Sequence, residues 1–187
     1  MTTASKVTMV RIFMIPVFIV FFMLGYYRSD LFGAFDIFAI ALFVLAAATD
    51  GIDGHIARKY NQVTDFGKFI DPLADKILVI SALICMVEFG YISSVAVIII
   101  IAREFMVTGL RIAAISSGKV IAAAMSGKIK TVIQIVCITA IMLAYAFDIN
   151  DSVEAFLNAG VWIMVFVTIY SGCEYMVKNW NVIDFKK

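Results

Sequence analysis

The chain has 187 residues, of which 63% are hydrophobic and only 16% are charged. Soluble domains hold about 45–50% apolar and about 25% charged residues, so a soluble enzyme, a disordered chain and a disulfide-stapled secreted domain all fit poorly. A net charge of +1 carries no polyelectrolyte signal for nucleic acid.

In chain order the apolar runs cover residues 7–27, 31–49, 72–89, 91–115, 129–147 and 153–177. A membrane helix needs roughly 20 apolar residues. Barrel strands would alternate every second residue over about 10 positions, whereas these runs are continuous. The predicted fold is therefore all-α: a polytopic membrane protein with six transmembrane helices in one domain, residues 1–187, with no room for a separate soluble one. The first run lacks a small-residue cleavage site and reads as a first span rather than a removed signal peptide. Six spans put both termini on one side. Of the fifteen Lys and Arg residues, Arg28 alone then falls on the other side, which carries Asp30, Asp36, Glu88, Asp148, Asp151 and Glu154. The positive-inside rule predicts a cell-membrane protein with both termini, and the loops after spans two and four, in the cytoplasm. Cys85, Cys137 and Cys173 lie far apart in apolar stretches, and there is one His, so a zinc site or a disulfide framework is not expected. The thiols read as buried small apolar groups.

The chemistry-bearing segment runs from Asp50 to Asp75. Asp50 and Asp53 are spaced i, i+3, and Asp71 and Asp75 are spaced i, i+4, so on helices each pair shares a face. The polar connection 59–66 suits a hairpin between spans two and three, which would turn the four carboxylates toward one another. Four clustered carboxylates repel, and near a bilayer they are costly. Divalent cations relieve this, and a ligand set of oxygens alone selects a hard ion, Mg²⁺ or Mn²⁺. Four aspartates can hold two such ions, the arrangement that stabilises attacking and leaving oxygens in phosphoryl displacement. Gly54 and Gly67 clear space for a close approach. Ala57 keeps the wall small, and Arg58 suits a bidentate phosphate grip. A plainer reading stands beside this one: Asp71 before Pro72 also makes a good helix start, and Asp50 and Asp53 would serve as loop solvation.

Asp50, Asp53, Gly54, Ala57, Arg58, Gly67, Asp71 and Asp75 together resemble, without a gap, the D-x2-D-G-x2-A-R-x8-G-x3-D-x3-D signature of the CDP-alcohol phosphotransferase family. The resemblance covers essentially the whole chain. It implies that fold, and transfer of a substituted phosphoryl group from a CDP-linked donor to an alcohol with release of CMP. It also implies that Asp50, Asp53, Asp71 and Asp75 bind metal, that Asp75 is the general base, and that Asp50, Asp53, Gly54, Ala57, Arg58 and Gly67 form the nucleotide site. Family members resemble homodimers, and the small-residue runs at 46–48 and 122–124 permit close helix packing.

The acceptor is addressed by a second basic region. Arg103 and Arg111 stand eight residues apart, about 80° around a helix, and Lys128 and Lys130 open the fifth span. Charges within apolar helices face polar cavities, and a phosphate-bearing acceptor needs such a cluster. Positive-inside flanking accounts equally for Lys119, Lys128 and Lys130, but less well for Arg103, which follows the apolar run 95–101. Glu104 is a candidate partner for either arginine. Residues 102–111, 127–131, 65–79 and 169–175 look like the phosphatidylglycerophosphate synthase branch of the family. That branch implies CDP-diacylglycerol as donor and sn-glycerol 3-phosphate as acceptor, in phospholipid biosynthesis. Gly51 replaces a bulkier residue of that branch. The N-terminal Thr8-x-x-Arg11 lacks the preceding Pro-Asn, which leaves acceptor contacts from Thr8 and Arg11 open. The rival readings are another acceptor (serine, inositol phosphate or a lipid) and, from a different class, a small divalent-cation carrier. The carrier predicts carboxylates near mid-membrane. His55, beside the motif but not in it, reads as a loop residue.

Overall fold

The computed structural model describes residues 3–27, 33–59, 65–116, 125–147 and 151–179, with side chains described except at 3–8, 50–59, 65–73, 75, 115–116 and 151–154. All regular structure among them is helical: α1 Thr3–Tyr27, α2 Ala34–Lys59, α3 Asp65–Glu88, α4 Ser94–Ser116, α5 Met125–Ala146 and α6 Asp151–Asn179. Each helix coincides with one expected apolar run. The main difference lies at one end of the bundle, where α2 runs ten residues past its apolar stretch and α3 starts seven before Pro72. Apolarity marks only the part of a helix that lipid surrounds; beyond it the backbone ladder continues where charged side chains reach water. Pro72 therefore stands inside α3 instead of opening it, and Asp50, Asp53 and His55 are helical, not loop residues.

Aromatic packing fixes the helix directions. Phe21 lies 5.8 Å from Phe35 and 4.5 Å from Phe38, while Phe18 lies 5.7 Å from Phe43. Earlier residues of α1 thus meet later residues of α2, so the two helices are antiparallel. Tyr26 of α1 stacks on Phe89, just after α3, at 3.9 Å, and Tyr91, just before α4, stacks on Tyr145 of α5 at 3.6 Å. The C-terminal ends of α1, α3 and α5 are thereby gathered at one end. The α3–α4 connection is tight because Gly90 adopts φ +74°. The Tyr91 amide donates to the Met86 carbonyl at 2.8 Å and the Gly90 amide to Val87 at 3.0 Å. This is a Schellman cap, which satisfies carbonyls that a helix end otherwise strands in lipid.

One apolar core runs through the bundle. It takes Phe18 and Phe22 from α1, Phe43 and Ala46 from α2, Leu78 and Met86 from α3, Ile100 from α4, Ile138 from α5 and Met164 from α6. The outside is as apolar as the inside: Phe13, Phe105, Phe156, Phe166 and Val177 are all exposed. In water such a surface is an aggregation liability; against lipid it is the solvent-matched face. Three helical segments, Met9–Tyr27, Met125–Ala146 and Ala155–Asn179, are long and apolar enough to cross a membrane on length and composition alone. α4 carries Arg103, Glu104 and Arg111, yet Val95, Ile98, Phe105, Met106 and Ile112 make a continuous exposed apolar stripe along it. The chain is a membrane protein. Of the thiols, Cys85 is buried as expected and Cys137 half-buried; Cys173 is exposed on α6, against the expectation of burial.

Candidate active site

The end of the bundle opposite the aromatic cluster is polar. There α2 ends and α3 begins, bringing the helical segments that carry Asp50, Asp53, Gly54, Ala57 and Arg58, and Gly67, Asp71 and Asp75, to one end. The side chains of these eight motif positions lie outside the described residues. Among the described residues no three His, Cys, Asp or Glu side chains gather in a metal-binding group.

Immediately after Asp75, Lys76 begins a described polar cluster. Its ammonium donates to the Thr108 hydroxyl on α4, and Thr108 donates onward to the Glu104 carbonyl at 2.7 Å. On the same helix Arg103 donates through Nη1 to Glu104 Oε1 at 3.0 Å and through Nη2 to Ser171 Oγ of α6 at 2.8 Å. Lys130 of α5 donates to the same Glu104 oxygen. One carboxylate thus joins two cations from different helices, and four helices contribute to the cluster. Burial of the Lys130 and Glu104 side chains excludes water from the pair, which raises the strength of both contacts.

The cluster borders a cavity, with about 30 Å³ open to the centres of water-sized groups, lined by the polar Lys76, Glu104, Lys130, Thr131 and Gln134 and the apolar Val79, Ile80 and Ile100. Gln134 is 1% exposed, and its Nε2 has no hydrogen-bond partner among the described residues.

The four expected acceptor-site cations do not converge on one point. Arg103 and Lys130 are joined through Glu104. Arg111 lies two turns along α4, where its Nε donates to Tyr175 Oη at 3.2 Å and its guanidinium sits 5.6 Å from that ring's centre. Lys128 is exposed at the start of α5. Arg11, whose role the sequence left open, is a fully buried charge on α1, 2% exposed; Thr8's side chain is not among those described.

Several contributors escaped the sequence reading: Lys76, Thr108, Gln134, Ser171, Gly172 and Tyr175. Gly172 is needed because a Cβ there would stand 2.9 Å from Cγ of Arg103. The sequence signal was that Lys76, Thr108, Ser171, Gly172 and Tyr175 sit within the branch-like stretches 65–79, 102–111 and 169–175, without any role attached; Gln134 lies outside all of them.

The family model for CDP-alcohol phosphatidyltransferases matches residues 1–170. The chain belongs to the CDP-alcohol phosphatidyltransferase family. Among its relatives in that family is a Bacillus subtilis (strain 168) protein named CDP-diacylglycerol--glycerol-3-phosphate 3-phosphatidyltransferase, 42% identical over 96% of this chain and 95% of the relative. A Rickettsia typhi protein of the same name is 35% identical, covering 91% of this chain and 93% of its own length. A Mycobacterium tuberculosis (strain ATCC 25618 / H37Rv) protein named probable phosphatidylglycerophosphate synthase is 34% identical over 94% of this chain and 80% of the relative.

Proposed function

We propose that this chain transfers the phosphatidyl group of CDP-diacylglycerol to sn-glycerol 3-phosphate, giving phosphatidylglycerophosphate and CMP in phospholipid biosynthesis. The observation that carries the reading is the 42% identity, over nearly the whole of both chains, to a relative bearing that activity in its name. The polar end of the bundle supports it. Arg103 and Lys130, from different helices, meet at Glu104 beside the cavity, and guanidinium and ammonium groups are the donors that hold phosphate.

In this reading Asp50, Asp53, Asp71 and Asp75 hold two divalent cations, Mg²⁺ or Mn²⁺. The donor set fits, being carboxylate oxygens only, on two helices that end together. When bound, the ions neutralise the pyrophosphate and the charge that builds on the departing CMP oxygen. Gly54, Ala57, Arg58 and Gly67, with Asp50 and Asp53, seat the CDP portion. Arg103 and Lys130 hold the acceptor phosphate, with Arg111 and Lys128 along its approach. Asp75 takes the proton from the acceptor hydroxyl as its oxygen bonds to the lipid-side phosphorus and the bond to CMP breaks.

The six helices act as six spans of a single domain, residues 1–187, in the cell membrane. Both termini and the site face the cytoplasm, where the polar acceptor and CMP exchange with water while the lipid-tailed donor stays in the bilayer. The working form is a homodimer. A cation-carrier reading is disfavoured because Asp50 and Asp53 lie beyond the apolar stretch Ala34–Thr49 of α2, not at its middle, and Asp71 and Asp75 lie in the first half of α3.

The test is CMP release from CDP-diacylglycerol by the purified protein with Mg²⁺, with and without glycerol 3-phosphate, and identification of the lipid formed. Acceptor-dependent CMP with phosphatidylglycerophosphate as product is expected. CMP release only with a different alcohol overturns the acceptor assignment, and no release with any alcohol overturns the enzymatic reading.

A further inference from the structure

We propose that Gln134 is a specificity-determining residue: its amide binds the non-reacting secondary hydroxyl of the acceptor in the cavity between α3, α4 and α5. The inference rests on the acceptor assignment above and adds to it a residue and a contact.

The cavity has room for a small polar group. About 30 Å³ open to the centres of water-sized groups is enough for a hydroxyl. Its chemistry selects further. Gln134 is 1% exposed and its Nε2 lacks a partner among the described residues. A buried amide left unpaired costs free energy that a hydroxyl oxygen recovers by accepting from it. Glu104, which also lines the cavity, supplies an acceptor for the hydroxyl proton.

Position completes the argument. Gln134 lies one helical turn beyond Lys130 on α5, and Val79, which also lines the cavity, lies one turn beyond Asp75 on α3. An acceptor whose phosphate meets Lys130, itself a lining residue of the cavity, has its carbon chain beside the cavity. Three separate contacts, to phosphate, attacking oxygen and secondary hydroxyl, also distinguish the acceptor from its mirror image.

The experiment compares glycerol 3-phosphate with 3-hydroxypropyl phosphate, which lacks only the secondary hydroxyl, in the full-length enzyme and in Gln134→Met. The native enzyme is expected to favour the hydroxylated acceptor by about 10- to 100-fold in kcat/KM. Gln134→Met is expected to lose most of that preference by slowing with glycerol 3-phosphate while holding its rate with the deoxy analogue. It should also narrow the discrimination between the two enantiomers of glycerol 3-phosphate. Equal use of both acceptors by the native enzyme overturns the proposal. So does a parallel loss with both acceptors in Gln134→Met and again in Gln134→Leu, the result expected if Gln134 only packs or holds water. Absence of turnover by the native enzyme with glycerol 3-phosphate is a different result, and it strikes the acceptor assignment itself.

Discussion

Arg103 shows how much one residue of this site depends on its neighbours. Its guanidinium is pinned between Glu104 and Ser171, and its alkyl stem crosses α6 at Gly172, where a methyl group would intrude to 2.9 Å. With both ends of the side chain held, the stem has little freedom to yield. Gly172→Ala should therefore raise KM for the acceptor about tenfold or more and leave KM for CDP-diacylglycerol nearly unchanged, because a misplaced binding group costs the step it positions. Steady-state kinetics with each substrate varied in turn checks this; equal effects on both would remove Arg103 from the acceptor side. Asp75→Asn should lower kcat by about 10² to 10⁴ while calorimetry still detects binding of the CDP-lipid. Chelation should abolish CMP release from the native enzyme, with Mg²⁺ or Mn²⁺ restoring it; turnover that survives chelation would remove the metal from the mechanism.

At the scale of elements, the Schellman cap at Gly90 holds the sharp turn between α3 and α4. An L side chain at φ +74° is strained, so Gly90→Ala should destabilise the protein by about 1 kcal/mol. Unfolding in mild detergent with denaturant measures it, and an unchanged midpoint would mean the turn is not under that constraint. The helices themselves were legible in the sequence, since each apolar run maps onto one of them. Their polar extensions were not, because hydropathy loses a helix where lipid ends. The same limit applies to the site. The motif from Asp50 to Asp75 could be read along two neighbouring segments. The links from Lys130 to Glu104 and from Arg103 to Ser171 join positions 26 and 68 residues apart. No local periodicity encodes such pairs. Gln134 was invisible for a related reason: a single amide in an apolar run gains meaning only when the cavity it faces is known.

Over the whole molecule the two ends differ in kind. One gathers aromatic rings and the other gathers charge, and the alternating helix directions separate them by the length of the bundle. In the six-span topology proposed above, Arg28 alone among the fifteen basic residues falls on the side away from the site. In a variant lacking Cys85, Cys137 and Cys173, Arg28→Cys should react with a membrane-impermeant maleimide from outside right-side-out vesicles, and Lys187→Cys only after permeabilisation. Labelling in the opposite sense would invert the protein in the membrane and place the site on the wrong side for its water-soluble substrates.

The stacked rings have a further use. Tyr91 on Tyr145 at 3.6 Å and Tyr26 on Phe89 at 3.9 Å hold chromophores in a fixed, asymmetric arrangement far from the reacting groups. Such packing gives a near-ultraviolet dichroic signal that vanishes when tertiary order is lost. The protein thus carries an internal optical standard: a variant at the charged end that loses turnover but keeps this signal has an altered site in an intact bundle, and one that loses both has come apart.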